Sequence, residues 1–129
     1  MAKRVLIVDD EPNIVTALDY LLRRSGYEVR AASNGEEALR QVQEYAPDLV
    51  LLDVMMPRRS GYEVCQRIRE RPEWSGIKIV ILSAKGREAE ISKGLAVGAD
   101  EYITKPFSNA ELVARIEQLL GEGKSAGGK

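Results

Sequence analysis

The 129-residue sequence contains no histidine. Without an imidazole there can be no Ser-His-Asp triad, no H-E-x-x-H zinc site and no phosphohistidine on this chain. A single cysteine, Cys65, excludes an internal disulfide and suits a reducing cytoplasm. It is expected to be a small apolar residue on a buried helix face. No apolar run approaches the roughly 18 residues that span a bilayer. The start, Met1-Ala2-Lys3-Arg4, is charged, and the apolar run behind it stops at Asp9, too short for a signal peptide. Charge of one sign is also lacking: the formal net charge is −1, so nothing attracts the chain to nucleic acid or to an anionic membrane.

What remains is an ordinary globular composition, 44% hydrophobic and 30% charged, in a length that suits one domain. Three short apolar runs stand out: Val5-Leu6-Ile7-Val8, Leu49-Val50-Leu51-Leu52 and Ile79-Val80-Ile81-Leu82. They lack alternation, as strands buried on both faces of a parallel sheet do. Residues 27–32 alternate, which predicts an edge strand, and Glu101-Tyr102-Ile103-Thr104 predicts a short fifth strand. Apolar residues at helical spacing predict helices over 12–24, 35–45, 61–70, 87–97 and 108–120. Ser60 and Ser108 are candidate N-caps, with Glu111 completing a capping box, and Gly98 is a candidate helix terminator. The β-α unit thus repeats five times, which means a parallel sheet with helices on both faces. Residues 1–120 form the domain, and the glycine-rich 121–129 read as a flexible tail or linker stub.

In such a sheet, ligands bind beyond the carboxyl ends of the strands, where the strand order reverses. Strand one ends in Asp9-Asp10, strand three in Asp53, strand four in Ser83, and Lys105 and Pro106 follow strand five. Three carboxylates, a hydroxyl and an ammonium converge on one rim. Crowded carboxylates repel unless a cation relieves them. Mg²⁺ suits the site, with Mn²⁺ as the alternative, because it takes one or two carboxylates and keeps positions for water and phosphate oxygens. Asp53 is then placed as a nucleophile that forms an acyl phosphate, with Ser83 and Lys105 for its oxygens. Taken singly, each residue is ordinary: Asp9-Asp10 a strand end, Asp53 a turn acid, Lys105 a solvated charge. The joint arrangement of separate segments carries the reading.

The stretches VLIVDDEP, DLVLLDVMMP, GYEV, IVILSA and GADEYITKPF, in this order and spacing, resemble response-regulator receiver domains of two-component phosphorelay systems over about residues 3–120. The resemblance implies an α/β doubly wound, flavodoxin-like five-stranded parallel sheet of order 2-1-3-4-5. It implies Asp53 as phosphoacceptor and Asp9, Asp10, Asp53 and the Met55 carbonyl as metal ligands. It makes Ser83 and Lys105 the phosphoryl-oxygen holders, Ser83 and Tyr102 the switch pair, and Lys105–Pro106 a cis peptide bond. The donor would be a phosphohistidine on a sensor histidine kinase or phosphotransfer protein, met largely around Asn13, Ile14, Thr16, Ala17 and Tyr20. The response would be a change in the surface made by the 87–97 helix, the fifth strand and the last helix. That face includes Glu88, Glu90, Lys93, Glu101, Glu111 and Arg115, and it would serve a downstream output domain, a target protein or a phosphorylation-dependent homodimer.

Three departures stand out, the first being a loop after Pro57, Arg58-Arg59-Ser60-Gly61, more basic than is usual in the family. Ser83 occupies a position where many members carry threonine. Met55 puts an apolar side chain beside the phosphoryl site, which predicts slow self-dephosphorylation. The chain is thus expected to transfer a phosphoryl group to itself rather than to turn over as an enzyme. A Mg²⁺-dependent aspartyl-phosphate phosphatase is disfavoured because Met55 stands where its general acid belongs. A degenerate receiver acting only as a binding module is disfavoured because the key residues are present, and a flavin binder because DDEP replaces a glycine-rich loop. Gly123-Lys124-Ser125 imitates the end of a P-loop but follows a helix and lacks the first glycine. Trp74 lies in a polar turn and is expected to cover the sheet edge rather than bind a ligand.

Overall fold

The computed structural model describes residues 3–53, 61–84, 98–105 and 107–121, with the side chains of Ser83, Ala84 and Lys105 outside the description. Several expectations therefore fall outside it: the Ser60 cap, Met55, the 87–97 helix with Glu88, Glu90 and Lys93, Pro106 and its peptide bond, and the tail from 122 onward. The described elements run β1 (Arg4–Val8), α1 (Pro12–Arg24), β2 (Glu28–Ala32), α2 (Gly35–Tyr45), β3 (Leu49–Asp53), α3 (Gly61–Arg69), a 3-10 helix (Pro72–Trp74), β4 (Lys78–Ala84), β5 (Glu101–Lys105) and α4 (Asn109–Leu120). None of these helices is long and apolar enough to cross a membrane.

All four strand pairings are parallel, and the order is β2-β1-β3-β4-β5. The alternation read in residues 27–32 has its cause here. β2 is an edge strand whose residues alternate less strictly than predicted, with only Val29 and Ala32 buried. β1 and β3 are central, and every residue of β3 is buried. The pleat sends successive side chains to opposite faces. Leu6, Val8, Val50, Leu52, Ile79 and Ile81 meet α2 and α3 on one side. Val5, Ile7, Leu49, Leu51, Val80 and Leu82 meet α1 and α4 on the other. Each face thus buries a separate apolar layer, and the helices cover both.

Local chemistry fixes the helix ends. Pro12 occupies the first turn of α1, where a missing N–H costs nothing. The Ser108 hydroxyl accepts from the Glu111 N–H at 3.0 Å, as its spacing predicted. Asn34 does the same for α2, accepting from the Glu37 N–H at 2.8 Å. The Glu37 carboxylate reaches back to the N–H of Ser33 at 3.0 Å, so α2 starts on a reciprocal cap. Trp74 is half-buried against the α2–α3 apolar layer, beside the turn from α2 into β3 and the start of β4.

The approach to β5 is clasped by one side chain. Arg69 donates from Nε to the Gly98 carbonyl at 2.9 Å and from Nη2 to Asp100 at 2.7 Å. The same Asp100 oxygen accepts from the Ile79 N–H at 2.8 Å, adding a side-chain rung to the β4–β5 ladder. Gly98 has φ of +110°, and a Cβ there would stand 2.6 Å from Arg69 Cγ. Glycine is thus required twice over, by backbone conformation and by space. Beneath this clasp, burial pushes the Cys65 thiol up to about 11, with Arg69 pulling it down and Asp100 pushing it up more weakly.

Gly98→Ala should lower stability by on the order of 3 kcal/mol through strained φ and the clash with Arg69. Urea unfolding should show a lower midpoint at unchanged slope. In an Arg69→Ala background the added cost should shrink, because the clash is gone, and strictly additive losses would contradict the contact. Cys65 should resist thiol reagents in the folded chain at neutral pH and react once it is unfolded. Its raised folded value favours the thiol form. Its contribution is therefore complete below the ordinary thiol range of ~8.5 and is lost as pH rises through about 11. Cys65→Ala should lose less stability than wild type across that window, measured as the difference between the two unfolding curves.

Candidate functional site

The chain passes from β1 outward to β2, then returns across β1 to β3, so the connections leaving β1 and β3 diverge over opposite faces of the sheet. Their carboxyl ends therefore border a crevice. Asp9 follows directly on β1, and Asp53 is the last residue of β3. The Val8↔Leu52 pairing brings these two ends side by side. Asp9 continues the sheet by one bond, its N–H donating to the Ala32 carbonyl at 3.1 Å.

The three predicted acids meet. Asp9, Asp10 and Asp53 each present a carboxylate oxygen, and these oxygens lie within 4.8 Å of one another. Asp9 and Asp53 are only 2% and 9% exposed, the only buried charged residues of the described chain. Asp10 is exposed. Asp9 is oriented by the turn into α1: its Oδ1 accepts from the Glu11 N–H at 2.9 Å. That bond sets the carboxylate at the positive end of the helix. Two buried acids beside a third match what a hard divalent cation requires, an all-oxygen donor set open to solvent on one side.

The β4 and β5 ends arrive at the same rim. Asp53 pairs with Leu82, so Ser83 stands one residue farther along β4. Ser83 pairs with Thr104, and Ala84 with Lys105. The backbone thus carries Ser83 and Lys105 past Asp53 on successive neighbouring strands. The Tyr102 ring is half-buried against the α2–α3 layer. Its hydroxyl is buried and makes no hydrogen bond among the described residues. Tyr102 also borders a polar hollow of about 120 Å³ lined by Ile103, Thr104, Glu111 and Arg115. On that face Arg115 forms an ion pair with Glu101, and its Nη2 lies 3.9 Å from Glu111. The three described charges of the expected partner face therefore bind one another within the chain.

One feature beside the acids was not legible in the sequence. A cavity of about 300 Å³ opens between α1 and the β2–α2 turn, lined by Asp9, Asp10, Pro12, Val15, Thr16 and Glu37 among others. Its far acid, Glu37, is the capping residue of α2. Its nearness to the acids depends on β2 lying beside β1.

The sequence profile described as "Response regulator receiver domain" matches residues 5–117. The chain is 47% identical over 126 residues to the alkaline phosphatase synthesis transcriptional regulatory protein PhoP of Bacillus subtilis, covering 98% of this chain and 52% of that protein. It spans about half the length of the curated relatives it matches. A response regulator from Chloroflexus aurantiacus superposes with a TM-score of 0.90 at 39% identity, over 94% of this chain and 99% of that one. The receiver domain of a sensor histidine kinase from Pseudomonas aeruginosa gives 0.86 at 28% identity, over 94% and 99%, and it holds a magnesium ion in its active-site cleft. With sheet order, acid placement and profile in agreement over nearly the whole length, the chain belongs to the response regulator receiver domains of two-component signalling.

Proposed function

We propose that this domain works as a metal-dependent phosphoacceptor switch with Asp53 as the acceptor. The observation that supports this best is the convergence of the Asp9, Asp10 and Asp53 carboxylates within 4.8 Å at the point where strand order reverses. Mg²⁺, or Mn²⁺ in its place, would be held by Asp9, Asp10, Asp53 and the Met55 carbonyl. Bound there, it would neutralise charge on the carboxylates and on the phosphoryl oxygens. An Asp53 carboxylate oxygen attacks the phosphorus. The P–N bond to the donor imidazole breaks, and its electron pair leaves with the imidazole on a sensor kinase or phosphotransfer protein. Ser83 and Lys105 take the phosphoryl oxygens, which suits a transfer that needs mainly positioning and charge stabilisation.

The conformational response rests on Ser83 and Tyr102. The Tyr102 hydroxyl, buried and without a hydrogen bond among the described residues, is a group with something to gain from a rearrangement. A homodimer or a downstream partner would engage the face carrying Glu90, Lys93, Glu101, Glu111 and Arg115. Such an interface would have to exchange the internal Arg115–Glu101 pair for pairs across it. A cytoplasmic setting, with a downstream output domain or target protein as the recipient of the signal, is the reading that the free buried thiol and the family support. Met55, two residues after the acceptor in sequence, is apolar, and self-dephosphorylation should accordingly be slow.

Incubation with acetyl phosphate should add one phosphoryl group by intact mass, only with Mg²⁺ and not in Asp53→Asn. A folded wild-type chain that gains no mass and binds no beryllofluoride would contradict the proposal. Crowding makes a second demand. Without metal, Asp10→Ala should stabilise the domain by about 1 kcal/mol, since it relieves like-charge repulsion that solvent already screens in part. Mg²⁺ should raise the wild-type Tm more than that of the variant. A metal-free variant melting at or below wild type would count against the repulsion.

A further inference from the structure

At the amino ends of the strands, far from the acids, the α2–α3 face carries a groove of about 340 Å³. Three arginines line it, Arg40 from α2, Arg67 from the last turn of α3 and Arg71 from the start of the 3-10 helix, against the one carboxylate of Glu70. In a chain of net charge −1 this is a local concentration of positive charge. No acid pairs with Arg40 or Arg67 among the described residues. Arg71 is differently disposed. Its guanidinium carbon lies 4.7 Å from the Trp74 ring centroid, and its Nε lies 3.5 Å from the Glu73 carboxylate. The indole is itself anchored against the core. A flat cation is thereby fixed on a flat ring at one wall of the groove.

From this arrangement we infer that the α2–α3 groove is a second binding site, for a nucleoside phosphate. Arg40 and Arg67 take the phosphate oxygens, for which guanidinium forks are suited. The base stacks on the Arg71–Trp74 platform, a surface that accepts any base because every base has a π-face. Glu70 accepts from the ribose hydroxyls. Gln43, with one donor and one acceptor group on its amide, meets the base edge, and Leu39 supplies the apolar contact. The volume lies within the range of small-ligand sites. The site shares no residue with the acid cluster, so it does not depend on phosphorylation at Asp53.

Trp74 is the only tryptophan in the chain and forms part of the site, so its fluorescence reports occupancy directly. Adenosine triphosphate should quench it saturably, with correction against free tryptophan. Adenosine and inorganic triphosphate should each bind more weakly than the nucleotide. Arg40→Ala and Arg67→Ala should each weaken binding about tenfold without moving the urea midpoint, because both side chains are exposed. Asp53→Asn should bind as wild type, which separates this inference from the phosphoacceptor reading. Calorimetry on the same solutions gives a second readout. The inference is overturned by quenching that never saturates, by arginine variants that bind as wild type, or by inorganic triphosphate that binds as tightly as the nucleotide.

Discussion

Like charges held close in a protein repel, and the convergence of three carboxylates at one strand-end rim is the constraint on which the rest of this structure turns. The oxygens of Asp9, Asp10 and Asp53 sit within 4.8 Å of one another, and two of the three acids are buried. Nothing local enforces this. Asp9 and Asp53 are 44 residues apart in sequence, joined only because β1 and β3 are neighbours in a parallel sheet. The apolar layers on the two faces hold those strands. Val5, Ile7, Leu49 and Leu51 face α1 and α4, and Leu6, Val8, Val50 and Leu52 face α2 and α3. Fixing so many side chains on both faces leaves the strand ends little freedom to splay and relieve the repulsion. A bound cation and a phosphoryl group would relieve it instead, which is how a packed core becomes a chemical site.

The two ends of the sheet are built differently. At the carboxyl ends the acids converge, and Glu37 caps α2 nearby. At the amino ends the side chains tie elements together: Asp48 accepts from the Arg4 N–H at 2.8 Å, and Arg69 clasps Gly98 and Asp100. Between these ends, β5 is an edge strand paired only with β4, and the Asp100 carboxylate supplies its first rung. A strand anchored at one end and carrying Tyr102 and Lys105 toward the other suits a switch. Its base is fixed by the clasp, while the Tyr102 hydroxyl lies buried with no hydrogen bond among the described residues.

Much of this was legible in the sequence because its signals are local. Unbroken apolar runs marked β1, β3 and β4. The Ser108–Glu111 spacing marked the start of α4, and helical periodicity marked all four described helices. The acids were legible because strand ends can be counted. The clasp was not, since nothing in Arg69 alone says that its stem fills the space where a Gly98 Cβ would stand. The depth at which Trp74 is held was not legible for a similar reason. Its polar neighbours read as a surface turn, yet the short 3-10 helix tucks the indole against the α2–α3 layer. The left-handed Ala46 that ends α2, at φ of 54°, also carries no sequence signal, because an L-residue there is tolerated rather than favoured.

The central claim is that the β1 and β3 acids form one cation-binding site at the strand-order reversal. A Mg²⁺ titration followed through backbone amide resonances tests it most directly. The account predicts saturable shifts concentrated at residues 9–11 and at Asp53, with the amides of the Arg69 clasp unmoved, and loss of those shifts in Asp9→Asn. Shifts that fail to saturate, or that scatter over the acidic surface without a centre at Asp9 and Asp53, would contradict it.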